Sequence, residues 1–169
     1  GQGAKVAVLP ESALGLWTPT TERLWTDALS DLSVTVIGGA AAIQKSGYDT
    51  VMVEIAKSDT RILYRERMPV PVSMWQPWRR LTGDGGGANA YIFYNPVMPV
   101  AGYRAAPLIC YEQLIIWPVL QSMALNADII VAIANGWWTG GSNITAIQRA
   151  SVTAWAKLFD VPLVIAFNE

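Results

Sequence analysis

Histidine is absent from the 169 residues, which removes Ser-His-Asp and Cys-His catalysis and every His-ligated metal site at once. Cysteine occurs once, at Cys110, so no intramolecular disulfide staples the chain, and a lone thiol leaves the redox compartment open. Charge is sparse: 15% of residues are charged, 12 basic against 13 acidic. Beyond Arg79-Arg80 and the Arg61, Arg65, Arg67 series no basic residues cluster, and no direct nucleic-acid binding is expected. Glu112, Gln121 and Asn126 interrupt the longest apolar candidate before it reaches the ~18 residues needed to cross a bilayer. The domain as it stands is therefore expected to be soluble. Nothing in the pattern calls for a metal or an organic cofactor.

What is present is apolar. Hydrophobic residues make up 52% of the chain and there are eight tryptophans, which excludes disorder and points to one domain with a real core and a sticky surface. Gly1-Gln2-Gly3 reads as a loop or a cloning remnant and is set aside. Ala4 to Leu9 predicts a short buried strand, stopped by Pro10, that delivers Glu11 at its C-terminal end. Pro19-Thr20-Thr21 opens a helix whose Leu24, Trp25, Ala28, Leu29 and Leu32 share one face. Val- and Ile-rich runs at Ser33 to Ala41, Thr50 to Ile55 and Arg61 to Arg65 predict strands, the last two joined as a hairpin through Lys57-Ser58-Asp59-Thr60.

Arg67 to Ala90, rich in Pro, Gly and Trp, reads as a long functional loop. Further strands are expected at Tyr91 to Tyr94, at Ala105 to Ile109 running straight into Cys110, at Asp128 to Ala134 and at Pro162 to Phe167. Two helices intervene. One covers roughly Trp117 to Asn126. The other begins at Ser142-Asn143 and carries Ile144, Ile147, Ser151, Ala154, Trp155 and Leu158 on one face.

Two strand ends thus carry groups of catalytic type, Pro10-Glu11-Ser12 and Cys110-Tyr111-Glu112, and ligands of open α/β sheets collect at such ends. Alone, neither is specific: a Glu after a strand is usually a solvated turn residue, and a buried Cys is usually a small core hydrophobe. Together, "LPES", "YRERMPVP" and "ICYE" resemble the three signature blocks of the nitrilase superfamily. Asn135-Gly136-Trp137-Trp138 matches the Asn-Trp stretch of its apolipoprotein N-acyltransferase branch. The wording of "YRERMPVPVSMWQPW" is most similar to nitrilase-like conjugal-transfer proteins.

The resemblance spans Val6 to Asn168 and implies an α/β fold, an α-β-β-α sandwich with mixed sheets, truncated at both ends of this chain. It implies Glu11 as general base and Cys110 as the nucleophile that forms a thioester with an amide or ester carbonyl. It also implies an oxyanion contact from the Tyr111 backbone N–H, and Glu112 as the branch's acidic residue after the nucleophile.

Asn135 and an aromatic surface of Trp75, Trp78, Trp137 and Trp138 would receive an acyl or amide small molecule, a lipid or a membrane surface. The bland reading of those tryptophans is packing plus a protein interface, for a conjugation-machinery partner or a homodimer. The parent protein implied is anchored in the inner membrane with this domain outside the cytoplasm.

One position departs sharply from the pattern. The family lysine falls on Glu66, so carboxylates from Glu11, Glu66 and Glu112 would surround the sulfur and disfavour its thiolate. Arg65 and Arg67 flank Glu66, but either enters the site only if strand pairing slips or a bulge intervenes. Impaired or altered catalysis, an active hydrolase or acyltransferase, and a binding scaffold are the three readings left open.

Overall fold

The computed structural model describes residues 5–57, 59–79, 83, 86–137 and 142–168. Two four-stranded sheets form the frame. In the first, β1 (Val6–Val8) lies parallel to β2 (Thr35–Gln44), which pairs antiparallel with β3 (Gly47–Ala56), and β3 with β4 (Asp59–Arg65). In the second, β5 (Met98–Val100) is antiparallel to β6 (Tyr103–Ile109), while β6, β7 (Ile129–Asn135) and β8 (Leu163–Asn168) run parallel. Three α-helices among the described residues pack on this frame: α1 (Pro19–Leu29), α2 (Ile116–Ala124) and α3 (Ile144–Phe159).

The layering follows from residues that are buried on alternating faces of each strand. Ile37, Met52 and Tyr64 of the first sheet meet Met98, Ala105, Ile109, Val131 and Ile133 of the second in a shared inner core. Their sequence neighbours face outward. Val36, Val51, Val53 and Ile55 pack under Leu29 and Trp25 of α1, and Ala106, Leu108, Ile130 and Ala132 pack under Val119 of α2 and Val152 and Ala156 of α3. The result is the α-β-β-α sandwich expected from the sequence. Both faces of the central strands are covered, which explains why they read as continuous apolar runs.

Several local expectations change. Tyr91–Tyr94 is a turn, closed by Tyr94 N donating to Tyr91 O at 2.8 Å, and the strand in that region is Met98–Val100. On α1 the inward residues are Leu29 and Trp25, while Leu24 and Ala28 face solvent, and Leu32 lies exposed beyond the helix end. On α3 the buried series is Gln148, Val152 and Ala156, with Ile147, Ala154 and Leu158 exposed. Both helices are thus rotated from the expected faces, because apolar residues occur around most of each circumference. No helix among the described residues is long and apolar enough to cross a membrane.

The loop after β1 is laid on β2. Leu9 N donates to Ile37 O (2.8 Å), Gly39 N to Pro10 O (3.2 Å), and Leu14 N to Gly39 O (3.0 Å). This close approach requires Gly39, since a Cβ there would lie 2.6 Å from the Glu11 Cα. Glycine inside a strand, easily passed over, is what lets Glu11 sit against the sheet. Gly39→Ala should accordingly cost about 1–3 kcal/mol in urea denaturation and displace the Glu11 loop; an unchanged midpoint would show that the loop yields freely.

Candidate active site

Cys110 opens a five-residue 3-10 helix, Cys110–Leu114, directly at the end of β6. Its φ of +47° lies in the left-handed region, at a cost of about 1–3 kcal/mol for a residue with a Cβ. Such strain persists only where surrounding bonds impose it, and Glu112 supplies them. One carboxylate oxygen, Oε1, accepts from Tyr64 OH (2.6 Å), Arg67 N (2.8 Å) and Met68 N (3.2 Å), and the other, Oε2, accepts from Ile109 N (2.9 Å). The Arg67 guanidinium lies 3.9 Å away. Glu112 thereby ties the turn at Cys110 to the end of β4 in the opposite sheet.

Arg67 is 0% exposed and fully engaged. Its Nε donates to Tyr64 OH (2.9 Å), and its terminal nitrogens donate to Pro118 O (3.0 Å), Gln121 Oε1 (2.9 Å), Pro107 O (3.1 Å) and Ser122 Oγ (3.2 Å). This cation is held behind the site. Arg65 turns the other way, to Asp49.

A bulge in β4 explains the sorting. Val53 pairs with Ile62 but Met52 pairs with Tyr64, so Leu63 is the extra residue and both Leu63 and Tyr64 face the inner core. Side-chain parity flips there. Tyr64 and Glu66 point inward and Arg65 outward, so the bulge admits the acid and turns the arginine away.

Glu66 is 1% exposed, and neither carboxyl oxygen has a partner of hydrogen-bond geometry. Burial holds its carboxyl well above the usual carboxylate range, and the nearby charges of Glu112 and Glu11 add to that; the Thr50 hydroxyl opposes it. Glu11 is pushed up to about 7, chiefly by burial, against the opposing hydrogen bonds of the Cys110 thiol and of the Asn135 N–H, which donates to Oε2 at 3.1 Å. Burial also raises Glu112, against the Arg67 charge and the N–H groups that bind it.

The Cys110 thiol, 8% exposed, is pushed far up by burial and then by the Glu11 and Glu66 charges. Gln148 Nε2, donating to Sγ at 3.6 Å, works against that rise. Glu11, Glu66, Glu112 and Cys110 are therefore one electrostatic cluster on the inner face. Tyr111 follows Cys110 in the 3-10 helix, half-buried, with a backbone N–H at the helix start, where no intrahelical acceptor exists.

Asn135 contributes its backbone to Glu11, and its Oδ1 is buried without a partner. The tryptophans are dispersed. Trp75 walls a cavity of about 310 Å³ with Lys45, Gln76 and Asn89, whose described lining includes neither Glu11 nor Cys110. Trp78 is 47% and Trp137 71% exposed, and Trp138 lies outside the described residues.

Sequence reasoning missed Gln148, Thr50, Tyr64 and the role of Arg67. A glutamine four residues before Val152, on a face otherwise apolar, was the available signal for the first. Nothing short of pairing register marks the others.

The carbon-nitrogen hydrolase family model matches residues 16–157. The chain belongs to that family, within the nitrilase superfamily. As a carbon-nitrogen hydrolase-fold chain it is 62% identical over 168 residues to the conjugal transfer protein TraB of Agrobacterium fabrum, covering 99% of this chain and 40% of that protein. It is 59% identical to the probable conjugal transfer protein TraB of Sinorhizobium fredii, covering 98% and 43%. The chain thus spans about two-fifths of the length of the curated relatives it matches.

Among solved structures, an amidase from Nesterenkonia superposes with a TM-score of 0.66 at 13% identity, covering 98% of this chain and 64% of that one. A carbon-nitrogen hydrolase from Helicobacter pylori superposes at 0.67 and 14% identity, covering 96% and 61%. At such identities these two establish the sandwich and nothing about substrate.

The Glu11 shift carries a stability consequence. A carboxyl raised from 4.5 to about 7 in the fold contributes stability that is intact below about pH 4.5 and lost as pH rises through 7, roughly 3 kcal/mol in all. Glu11→Gln should remove that share of the fall in chemical-denaturation stability between about pH 5 and 8; an identical pH profile in the variant would show that Glu11 is solvated.

Proposed function

We propose that this chain is the nitrilase-fold domain of a conjugal transfer protein of the TraB type, in which Cys-dependent amide hydrolysis or N-acyl transfer is impaired by the acid at position 66. One observation carries the reading: a buried glutamate with unpaired oxygens stands where the family resemblance expects a lysine. A lysine there would lower the thiol pKa and steady an oxyanion. A glutamate does the reverse, whether ionised, when it repels the thiolate, or protonated, when it adds no positive charge. The sulfur is then a neutral thiol near pH 7, and the domain serves plasmid transfer through binding or assembly.

The high identity to proteins named for conjugal transfer supports that setting. Anchoring of the parent protein in the inner membrane, with this domain outside the cytoplasm, is part of the same proposal. So are its candidate partners, a conjugation-machinery protein, a second copy or a lipid surface.

A second reading keeps the enzyme. Glu11 and Cys110 are both retained and in contact, with Glu11 near 7. In that reading the thiol proton passes to Glu11, a sulfur–carbonyl bond forms, and the amine leaves with the proton to give a thioester. Exposed Trp137 would then guide an apolar acyl chain.

Intact-mass alkylation by iodoacetamide between about pH 6 and 10 separates the two. The parent protein should react only above about pH 9, and Glu66→Lys should shift the onset downward. Ready alkylation of the parent near pH 7 would overturn the impaired-catalysis reading. So would a Cys110→Ala protein that no longer supports conjugal transfer, since transfer at the parental frequency is the expected result.

A further inference from the structure

Buried polar atoms are ordinarily paired, so an orphan points to a missing partner. Among the described residues the unpaired buried atoms include both oxygens of Glu66 and the hydroxyl of Thr50. These two residues are adjacent across the sheet, Glu66 N donating to Thr50 O at 2.8 Å, and the hydroxyl acts on the carboxyl. Two carboxyl oxygens and a hydroxyl share one place, and no bond of hydrogen-bond geometry satisfies any of them. The charged groups that reach it are Glu11 and Glu112, of the same sign, while Arg67 is committed to Glu112 and to carbonyls behind the site. A partner that brings both N–H bonds and positive charge would satisfy the carboxylate and offset its like-charged neighbours, with the Thr50 oxygen accepting a further bond. An ammonium group, with three N–H donors and one positive charge, has the chemistry that fits.

We propose that Glu66 and Thr50 form a subsite for a primary ammonium group carried by the ligand of this site. The inference rests on the functional reading above, that residue 66 faces the thiol, and adds to it the class of molecule that this site takes. An ammonium seated there forms charge-assisted bonds to the carboxylate and a further bond to the Thr50 oxygen. It also supplies the positive charge beside Cys110 that the chain itself lacks. The thiol would then be activated only in the complex, by the ligand's own charge.

The probe is methylammonium chloride on the intact chain, against tetramethylammonium chloride at equal ionic strength. Melting temperature and the rate of Cys110 alkylation near about pH 8 are both followed. Methylammonium should raise Tm and speed alkylation about tenfold, the effect of a one-unit fall in thiol pKa. Tetramethylammonium, which has no N–H, should do neither, and Glu66→Gln should abolish both responses.

Equal responses to the two salts, or none, overturn the proposal. Adding Nα-acetyl-lysine amide separates the sources of the group: a response to methylammonium alone assigns a small amine, and a response to both assigns a lysine side chain. Glu66→Lys keeps the two claims apart. If it accelerates alkylation while methylammonium does not, the subsite is refuted and the functional reading stands. If neither acts, residue 66 does not govern the thiol and both fall.

Discussion

Glu112 gathers five contacts from three parts of the chain: Ile109 at the end of β6, Tyr64 on β4, and the Arg67 and Met68 segment that follows β4. Because those parts belong to opposite sheets, the carboxylate works as a clamp across the inner layer of the sandwich. The left-handed turn at Cys110 is held from one side of it and the inward aim of Glu66 from the other. A buried charge of this kind is tolerable only when paired and fully bonded, and breaking such a pair typically costs about 3–5 kcal/mol. The arrangement is thus rigid by necessity, and it consumes Arg67, the one buried cation among the described residues close to the sulfur.

What remains around the thiol is acid. Burial and like charge act in the same direction on Glu11, Glu66 and Cys110, so each group raises the cost of ionising the next. A carboxyl and the sulfur lie together, and the next group buried beside them is another acid. Proximity and electrostatics therefore pull apart: the thiol has a carboxyl beside it, and the surrounding charge opposes its ionisation. A site built this way gains most from a molecule that carries its own positive charge.

Strand ends were the most legible part of the sequence. The apolar run before Glu11 ends in Pro10 and the one before Cys110 runs straight into it, and both residues lie just past the strands those runs form. Helix faces were less legible, because a chain 52% apolar gives α1 and α3 more hydrophobic residues than one buried stripe can use, and the sheet selects among them by fit. Tyr91–Tyr94 has the aromatic composition of a strand, yet Tyr91 N is already spent on Arg67 O and the segment turns. Thr50 carries no local signal at all, and Gln148 only that of a polar residue on an apolar helix face, since the partners of both are distant in sequence.

The bulge at Leu63 has the widest reach. Arg65 ends β4 and Glu66 follows it, and a slide of one residue in the second half of that strand, closing the bulge, would bring Arg65 opposite Thr50 in place of Glu66. The amino-acid composition would not change, only the reading frame of the ladder, and the polarity presented to the sulfur would reverse. Tyr64, bonded to Glu112 across the sandwich, pins the frame. The lock on this strand's register is therefore also the lock on the sign of the cleft.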